Sequence, residues 1–550
     1  MEQELDDRIS ALPEPILQHI LSFIPFKQIA QSSIVSKTWN MAWTSFPFLK
    51  FDREFFHDTE PKQQRINELY NFIERIVLNR HRQELYIQKF ELYIPLQTLH
   101  QQGLLALVNS CIGYAIELNV KELNLYTESG HFSHYSLHQS VLVSKSITEL
   151  CLYGCNLKLI NSGDINLPNL KKLVFDTIPV NDQIIQNLVD GCPVVEDVRF
   201  SSCDGLESIK LSGISKLMAL ELGFNRKLKT VVLQASSLQS LKIKSSLKYP
   251  EPWRIFNMVT CKNLKKLLLY STNAVTDRWL HKLLSELLLV EELCLLRCFM
   301  LERIKISGHC MKSLSFYSCQ NLVEVDIDTP NLDNLSYNGQ IISFSLKALK
   351  VLKVCLTFVG SFPETASHDK MIEFLRKSSD PKSLTLDIST AEDAIIPKEL
   401  RQTLPSPSYN VKQLKLQLNE PPIMSGMNKL VDVLLWISPL LDGLIIEWGL
   451  GPCTRLAHYK TVNIISHFDN SLQSKTWCKQ LTVHVLFLQF SYKKPIYKVE
   501  NTNCCKLLPF PCWRHCLKTV QIESLRGSAD KKSLKKYFYE NAENLKRFKY

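Results

Sequence analysis

The chain has 550 residues, 45% hydrophobic and 22% charged, with a formal net charge of +11. That balance belongs to a folded soluble protein, with length for several domains or one long repeat array. It leaves no membrane-length apolar run, because the most apolar stretch, Val431 to Leu450, is broken by Asp432, Pro439, Asp442 and Glu447. The acidic, polar start (MEQELDD) predicts no secretory signal. Seventeen cysteines, an odd number without framework spacing, then read as reduced thiols in the cytosol or nucleus.

In chain order, Leu12-Pro13 opens a helix, with proline near the first turn, where its missing N–H costs nothing. Ile16, Leu17, Ile20, Leu21 and Ile24 form an amphipathic stripe that Pro25 stops. A second helix starts near Gln28 and carries Ile29, Ile34 and Val35; Trp39 and Trp43 lie four apart beyond it. So small a segment buries little surface alone, so its apolar groups want a partner, either another protein or the rest of the chain. The phrase LP-x2-IL-x2-ILSFIP followed by VSKTW resembles the F-box of plant F-box/leucine-rich-repeat proteins. Phe26 stands where that family often carries a small polar residue. The resemblance implies a module at residues 1–50 that docks a Skp-type adaptor and through it a cullin. It also implies adaptor contacts at Leu12, Pro13, Ile16, Leu17, Ile20, Leu21, Ile24, Val35, Ser36 and Trp39.

Residues 51–119 read as linker helix and first repeat elements. Arg65 to Arg82 is one helix, with Ile66, Leu69, Phe72, Ile73, Ile76 and Val77 on one side, and KFELYI around Phe90 and Leu92 is an early strand. From 120 to 340 one phrase recurs, apolar-x-x-apolar-x-apolar, anchored at Leu123, Leu150, Leu173, Val198 and onward to Leu335. Some steps between anchors are near 25 residues, which fits a leucine-rich repeat of strand plus helix; others are 10 or 11, which leaves room for a strand and a turn. The long steps carry helix signals: Asn181 or Asp182 as cap with Gly191 at the end, and Thr276 as cap before Trp279, Leu280, Leu283 and Leu284. These features predict a solenoid with one continuous parallel sheet, whose outward residues, such as Glu122 and Asn124 or Lys242 and Lys244, are candidates for a binding face.

Residues 341–500 hold degenerate repeats, with anchors at Leu352, Leu384, Leu414, Leu444 and Leu481 and helices at 371–377 and 427–435. Stretches 361–369, 402–410 and 491–511 read as loops. Residues 501–550 carry eleven Lys/Arg against four Asp/Glu. Lys531, Lys532, Lys535 and Lys536 interleave with Leu534, Tyr537 and Phe538, the pattern of an amphipathic helix on a core rather than a nucleic-acid tail. This end reads as strand (Leu517–Ile522), loop, helix (Asp530–Asn541) and strand (Leu545–Phe548). It resembles the FBD region that closes many plant F-box/leucine-rich-repeat proteins, and it could cap the open end of the array.

No phosphate-cradling glycine loop, H-E-x-x-H or G-x-S-x-G occurs, and seventeen glycines leave little for a nucleotide site. Cys504, Cys505, Cys512, His515 and Cys516 match no zinc spacing, and His131, His134 and His138 sit in a polar stretch that reads as a surface loop. The expectation is an α/β chain without cofactor, metal, membrane span or catalytic residue, in cytosol or nucleus: an all-α F-box, an irregular leucine-rich-repeat solenoid and an FBD-like cap. By the resemblance it is the substrate-recognition subunit of an SCF-type ubiquitin ligase, or a non-degradative F-box scaffold. Its target protein is unknown.

Overall fold

The computed structural model describes residues 12–57 (without 33 and 35), 63–95, 102–128, 135–157, 165–245, 255–270 (without 259), 274–348, 351–358, 365–377, 381–420 (without 409), 426–448, 484–492, 512–525 and 530–549. Two compact units divide the chain near residue 265.

The first unit begins with α1 (Glu14–Leu21), α2 (Phe26–Ser32) and α3 (Lys37–Ser45), followed by the short helix α4 (Arg53–His57) and the long α5 (Gln63–Arg82) and α6 (Gln102–Glu117). Its parallel sheet runs through Phe48–Phe51, Lys89–Ile94, Glu122–Thr127, Glu149–Tyr153, Lys172–Asp176, Asp197–Ser201, Ala219–Gly223 and Ser240–Lys244. The register stacks the anchors Phe90, Leu123, Leu150, Leu173, Val198, Leu220 and Leu241 in one row, and all are buried.

The short steps have a different meaning from the expected bare turns. Anchors 10 or 11 residues apart belong to two sheets. Ile209 and Val231 lie in a separate parallel sheet, Ser208–Ser212, Thr230–Gln234 and Ile255–Asn257, while Leu220 and Leu241 stay in the first. One coil therefore has two strands, and its period is two short steps. The second sheet takes the place that helices such as Asp182–Gly191 take in longer coils; that helix packs directly against strand Ser208–Ser212. The second unit repeats the plan. Its first sheet runs Glu292–Leu296, Ser313–Tyr317, Asn334–Gly339, Lys353–Phe358, Ser383–Ile388, Gln413–Leu418 and Gly443–Trp448, and its second sheet is Arg303–Ser307, Glu324–Asp328 and Ser343–Lys347.

Local chemistry explains how each coil turns. Thr177, Ser202, Phe224, Arg297 and Ser318 follow strands of the first sheets with φ of 52–55°. One residue on stands Cys203, Asn225, Cys298 or Cys319, each directed at a carbonyl of the preceding coil: Cys203 Sγ to Phe175 (3.9 Å), Asn225 Nδ2 to Phe200 (3.0 Å), Cys298 to Leu269 (3.6 Å) and Cys319 to Leu295 (3.7 Å). Such cysteines are buried weak donors, and burial pushes the Cys203 thiol up to about 12. Asn181 and Thr276 cap their helices as expected. Asp182 instead tethers: its carboxylate accepts the N–H groups of Glu207 and Ser208, as Asp277 accepts those of Glu302 and Arg303, tying each helix to the start of the first strand of the second sheet.

Toward the C-terminus the parallel pattern stops. His484–Tyr492 pairs antiparallel with Gly443–Trp448 and with Leu517–Leu525, and Arg547–Lys549 adds a parallel edge. The helix Asp530–Asn541 agrees with expectation; the last strand starts two residues later than expected. The helices expected at 371–377 and 427–435 are longer, Thr365–Lys377 and Met427–Ile437, so the first invades a stretch read as loop. The anchor Leu481 and the cysteines 504 and 505 lie outside the described residues.

Candidate functional site

The N-terminal helices form the candidate docking site. Ser36 caps α3, its hydroxyl accepting the Trp39 N–H at 3.2 Å. α1 packs on α3, and Gln18 Nε2 donates to Ser45 Oγ at 3.1 Å across that pair. Phe26 is the anchor of the module. It is buried against Trp43 (5.3 Å between ring centres) and Phe51 (5.0 Å, edge to face), so the helices share an aromatic cluster with the first strand. Arg80 of α5 reaches under α3. It is buried, it donates to the carbonyls of Phe46 (2.7 Å) and Trp43 (2.9 Å), and its guanidinium lies 5.9 Å from the Trp43 ring centre. These carbonyls end α3, where a cation is favoured. Desolvation lowers the Arg80 guanidinium to about 10, still charged at neutral pH.

The expected contact residues divide in two. Leu17 and Leu21 are 1% and 0% exposed, so their side chains serve the core of the module and present nothing to a partner. Pro13 and Ile16 are exposed, and Leu12, Ile20, Ile24, Ser36 and Trp39 are half-buried; Val35 lies outside the described residues. The surface is wider than expected. Ile16 is 46% exposed, Phe23 76%, Ile34 88% and Met41 67%. Phe23 and Met41 are additions to the expected contacts: Phe23 lies past the end of α1, and Met41 lies two residues from both Trp39 and Trp43 on α3, off the side that those two share. Four large apolar side chains exposed within 26 residues exceed the scattered single apolar residues of an ordinary surface.

Elsewhere the described residues offer no reactive constellation. No group of three His, Cys, Asp or Glu among them could hold a metal. His515 Nδ1 lies 2.8 Å from Glu543, Cys516 Sγ donates to the Cys512 carbonyl at 3.1 Å, and His138 pairs with Ser140 at 2.7 Å; His131 and His134 are outside the described residues. Two open grooves of about 510 and 590 Å³ lie at turns between coils. No described helix is long and apolar enough to cross a membrane. Of the sheet residues offered as binding candidates, Asn124 and Lys244 are buried, and Lys244 Nζ is held by Glu221 at 2.5 Å.

Comparison with known proteins places these features. A model of the F-box domain matches residues 9–51, and one of the FBD matches 507–549. Between them, the repeats of "FBD-associated F-box protein At5g56370, LRR repeats" match 110–255, and "At1g61320/AtMIF1, LRR domain" matches 251–446. Among curated relatives, "Putative F-box protein At3g58860" of Arabidopsis thaliana is 29% identical over 44% of this chain and 48% of its own length. "F-box/LRR-repeat protein At3g59200" of the same plant is 31% identical over 38% of this chain and 39% of its own length. "FBD-associated F-box protein At5g60610", also from that plant, is 30% identical over 37% and 48%. The chain thus spans about half the length of the curated relatives it matches. It carries F-box, leucine-rich-repeat and FBD segments in that order, and its homologues are Arabidopsis F-box/leucine-rich-repeat and FBD-associated proteins.

Proposed function

We propose that this chain is the substrate-recognition subunit of an SCF-type ubiquitin ligase: the F-box binds a Skp-type adaptor, the adaptor joins a cullin, and the repeats hold a target protein. The observation that carries the reading is an F-box match whose surface keeps Ile16, Phe23, Ile34 and Met41 in solvent. Exposed apolar side chains on short helices and the turns between them suit a groove on a partner, and burying them on docking contributes about 25 cal/mol per Å². The chain itself needs no nucleophile in this role. It raises the effective concentration of target lysines near the ubiquitin carrier, and proximity supplies the rate gain.

The test is a calorimetric titration of the purified chain with a plant Skp adaptor. Leu12→Ala combined with Pro13→Ala removes a half-buried and an exposed side chain at the start of α1, and should weaken binding by at least about 2 kcal/mol, a hot-spot-sized loss. Unchanged affinity would overturn the docking assignment. Target turnover after depletion of the chain then separates the ligase subunit from a non-degradative scaffold.

A further inference from the structure

The first sheet of the first unit has an open face, formed by the side chains that alternate with the buried anchor rows. One row on it is Tyr93, Tyr126, Tyr153 and Asp176, set side by side by the strand register. Tyr126 and Tyr153 stack with ring centres 4.3 Å apart and planes at 14°, and all three tyrosines are half-buried. A carboxylate stands at each end. Glu128 accepts the Tyr93 hydroxyl at 2.5 Å, and Asp176 follows Tyr153 in the register. On the same three strands Glu122 and Glu149 are half-exposed on this face and Glu91 is buried beside them; Lys89 is the one cation that these strands contribute. Lys89 sits 3.9 Å from Glu91 and 3.8 Å from Glu122, and Lys172 of the next strand neutralises Glu149 at 2.8 Å. This face is therefore acidic and aromatic in a chain whose net charge is +11.

We propose that this face, in the target-holding role argued above, receives an arginine- or lysine-bearing segment of the target protein. Aromatic rings with carboxylates at the rim attract cations through both ring quadrupole and charge, and guanidinium groups stack on tyrosine while pairing with a carboxylate. The local acid surplus repels phosphate, so this face is not a nucleic-acid site despite the basic chain. Three rings on three successive coils span two strand spacings of about 4.8 Å each, a distance that an extended segment crossing the strands covers in about three residues at about 3.4 Å per residue. The proposal rests on the solenoid being the target-binding part.

The experiment uses the full chain and fluorescein-labelled nona-arginine, nona-lysine, nona-glutamate and a glycine–serine peptide, read by anisotropy at about 150 mM salt, where surface steering is largely screened. Tyr126→Leu with Tyr153→Leu keeps apolar bulk on the sheet and should weaken nona-arginine binding about tenfold. Glu122→Gln with Glu149→Gln, both half-exposed, should weaken both cationic peptides without altering the melting temperature, which keeps the test decisive if the tyrosine variant melts early. Equal binding of acidic and basic peptides, or nona-arginine binding indifferent to both double variants, overturns the proposal. Adaptor binding is measured in parallel on every variant. Its absence in the parent chain would count against the F-box reading alone, and its persistence in the variants shows that only this face was changed.

Discussion

Leu17 is 1% exposed, whereas Ile16, one residue earlier on α1, is 46% exposed. Truncating Leu17 leaves a hole in the module, and a buried Leu→Ala change costs about 2–5 kcal/mol. Ile16→Asp takes nothing from the core but puts a charge where an apolar groove must close, an unpaired desolvation. Leu17→Ala should therefore lower the melting temperature of the first unit, and Ile16→Asp should abolish adaptor binding at an unchanged melting temperature. Thermal melts beside adaptor titrations decide it; an Ile16→Asp chain that binds normally would move the docking surface elsewhere. The sequence pattern made both residues members of one stripe, because periodicity shows that a helix has an apolar side and not which neighbour covers each part of it. Arg80 was hidden for a related reason. Its partners Phe46 and Trp43 lie 34 and 37 residues away, and nothing in a run of LNRHR separates a buried arginine from a solvated one.

At the scale of elements, what was legible is local. Asn181 and Thr276 cap helices that begin at the next residue, so the cap and its N–H are neighbours in sequence as in space. The assignment of strands to sheets was not legible, since the strand at Ile209 and the strand at Leu220 have the same alternation and differ only in which layer they join. A subtler signal lay in the turns. Asn169, Asn263, Asn321, Asn331 and Asn544 each precede a leucine, and each donates its side-chain amide to a backbone carbonyl in an earlier turn: Lys145, Ser236, Phe299, His309 and His515, at 2.6–2.8 Å. The same Asn-Leu device in the FBD segment makes that segment one more coil of the array. Asn544→Ala leaves the His515 carbonyl without this donor and should cost about 1 kcal/mol, with faster amide exchange confined to Lys546 and the strand behind it. An undisturbed exchange pattern there would show that the coil closes without it. Gly191 shows a tighter limit: a Cβ there would meet the Ile165 carbonyl oxygen at 2.3 Å, so the end of the helix Asp182–Gly191 requires glycine for space.

On the scale of the molecule, the C-terminal cap explains where the basic surplus of the last fifty residues goes. Asp432, on the helix Met427–Ile437, is the hub: Arg401 Nη1 donates to it at 2.8 Å, Arg514 Nη2 at 2.6 Å, and the Tyr537 hydroxyl at 2.7 Å. Two of these donors come from the cap segment, 82 and 105 residues further along, which is why spacing did not reveal them. Leu534 and Phe538 of the same capping helix are fully buried, so the lysines between them are the solvated side of a packed element. Burial alone would raise the Asp432 carboxyl, but the hydrogen bonds from Arg401 and Tyr537 and the charge of Arg514 overcome it and hold the group below its ordinary value of 3.8. A carboxyl depressed in the folded state adds stability that is fully present above its unfolded-state pKa and is lost as pH falls through the folded-state value. The cap should therefore weaken from about pH 4 downward, and Asp432→Asn should cost about 1.5–3 kcal/mol at neutral pH by leaving two half-buried guanidinium groups without their counter-charge. Urea midpoints followed between pH 5 and pH 3 test both parts. The parent chain should lose stability more steeply than Asp432→Asn across that window, because the variant has already lost the group that titrates. Parallel slopes would mean that acid lability arises elsewhere and that Asp432 holds the cap by geometry without its charge.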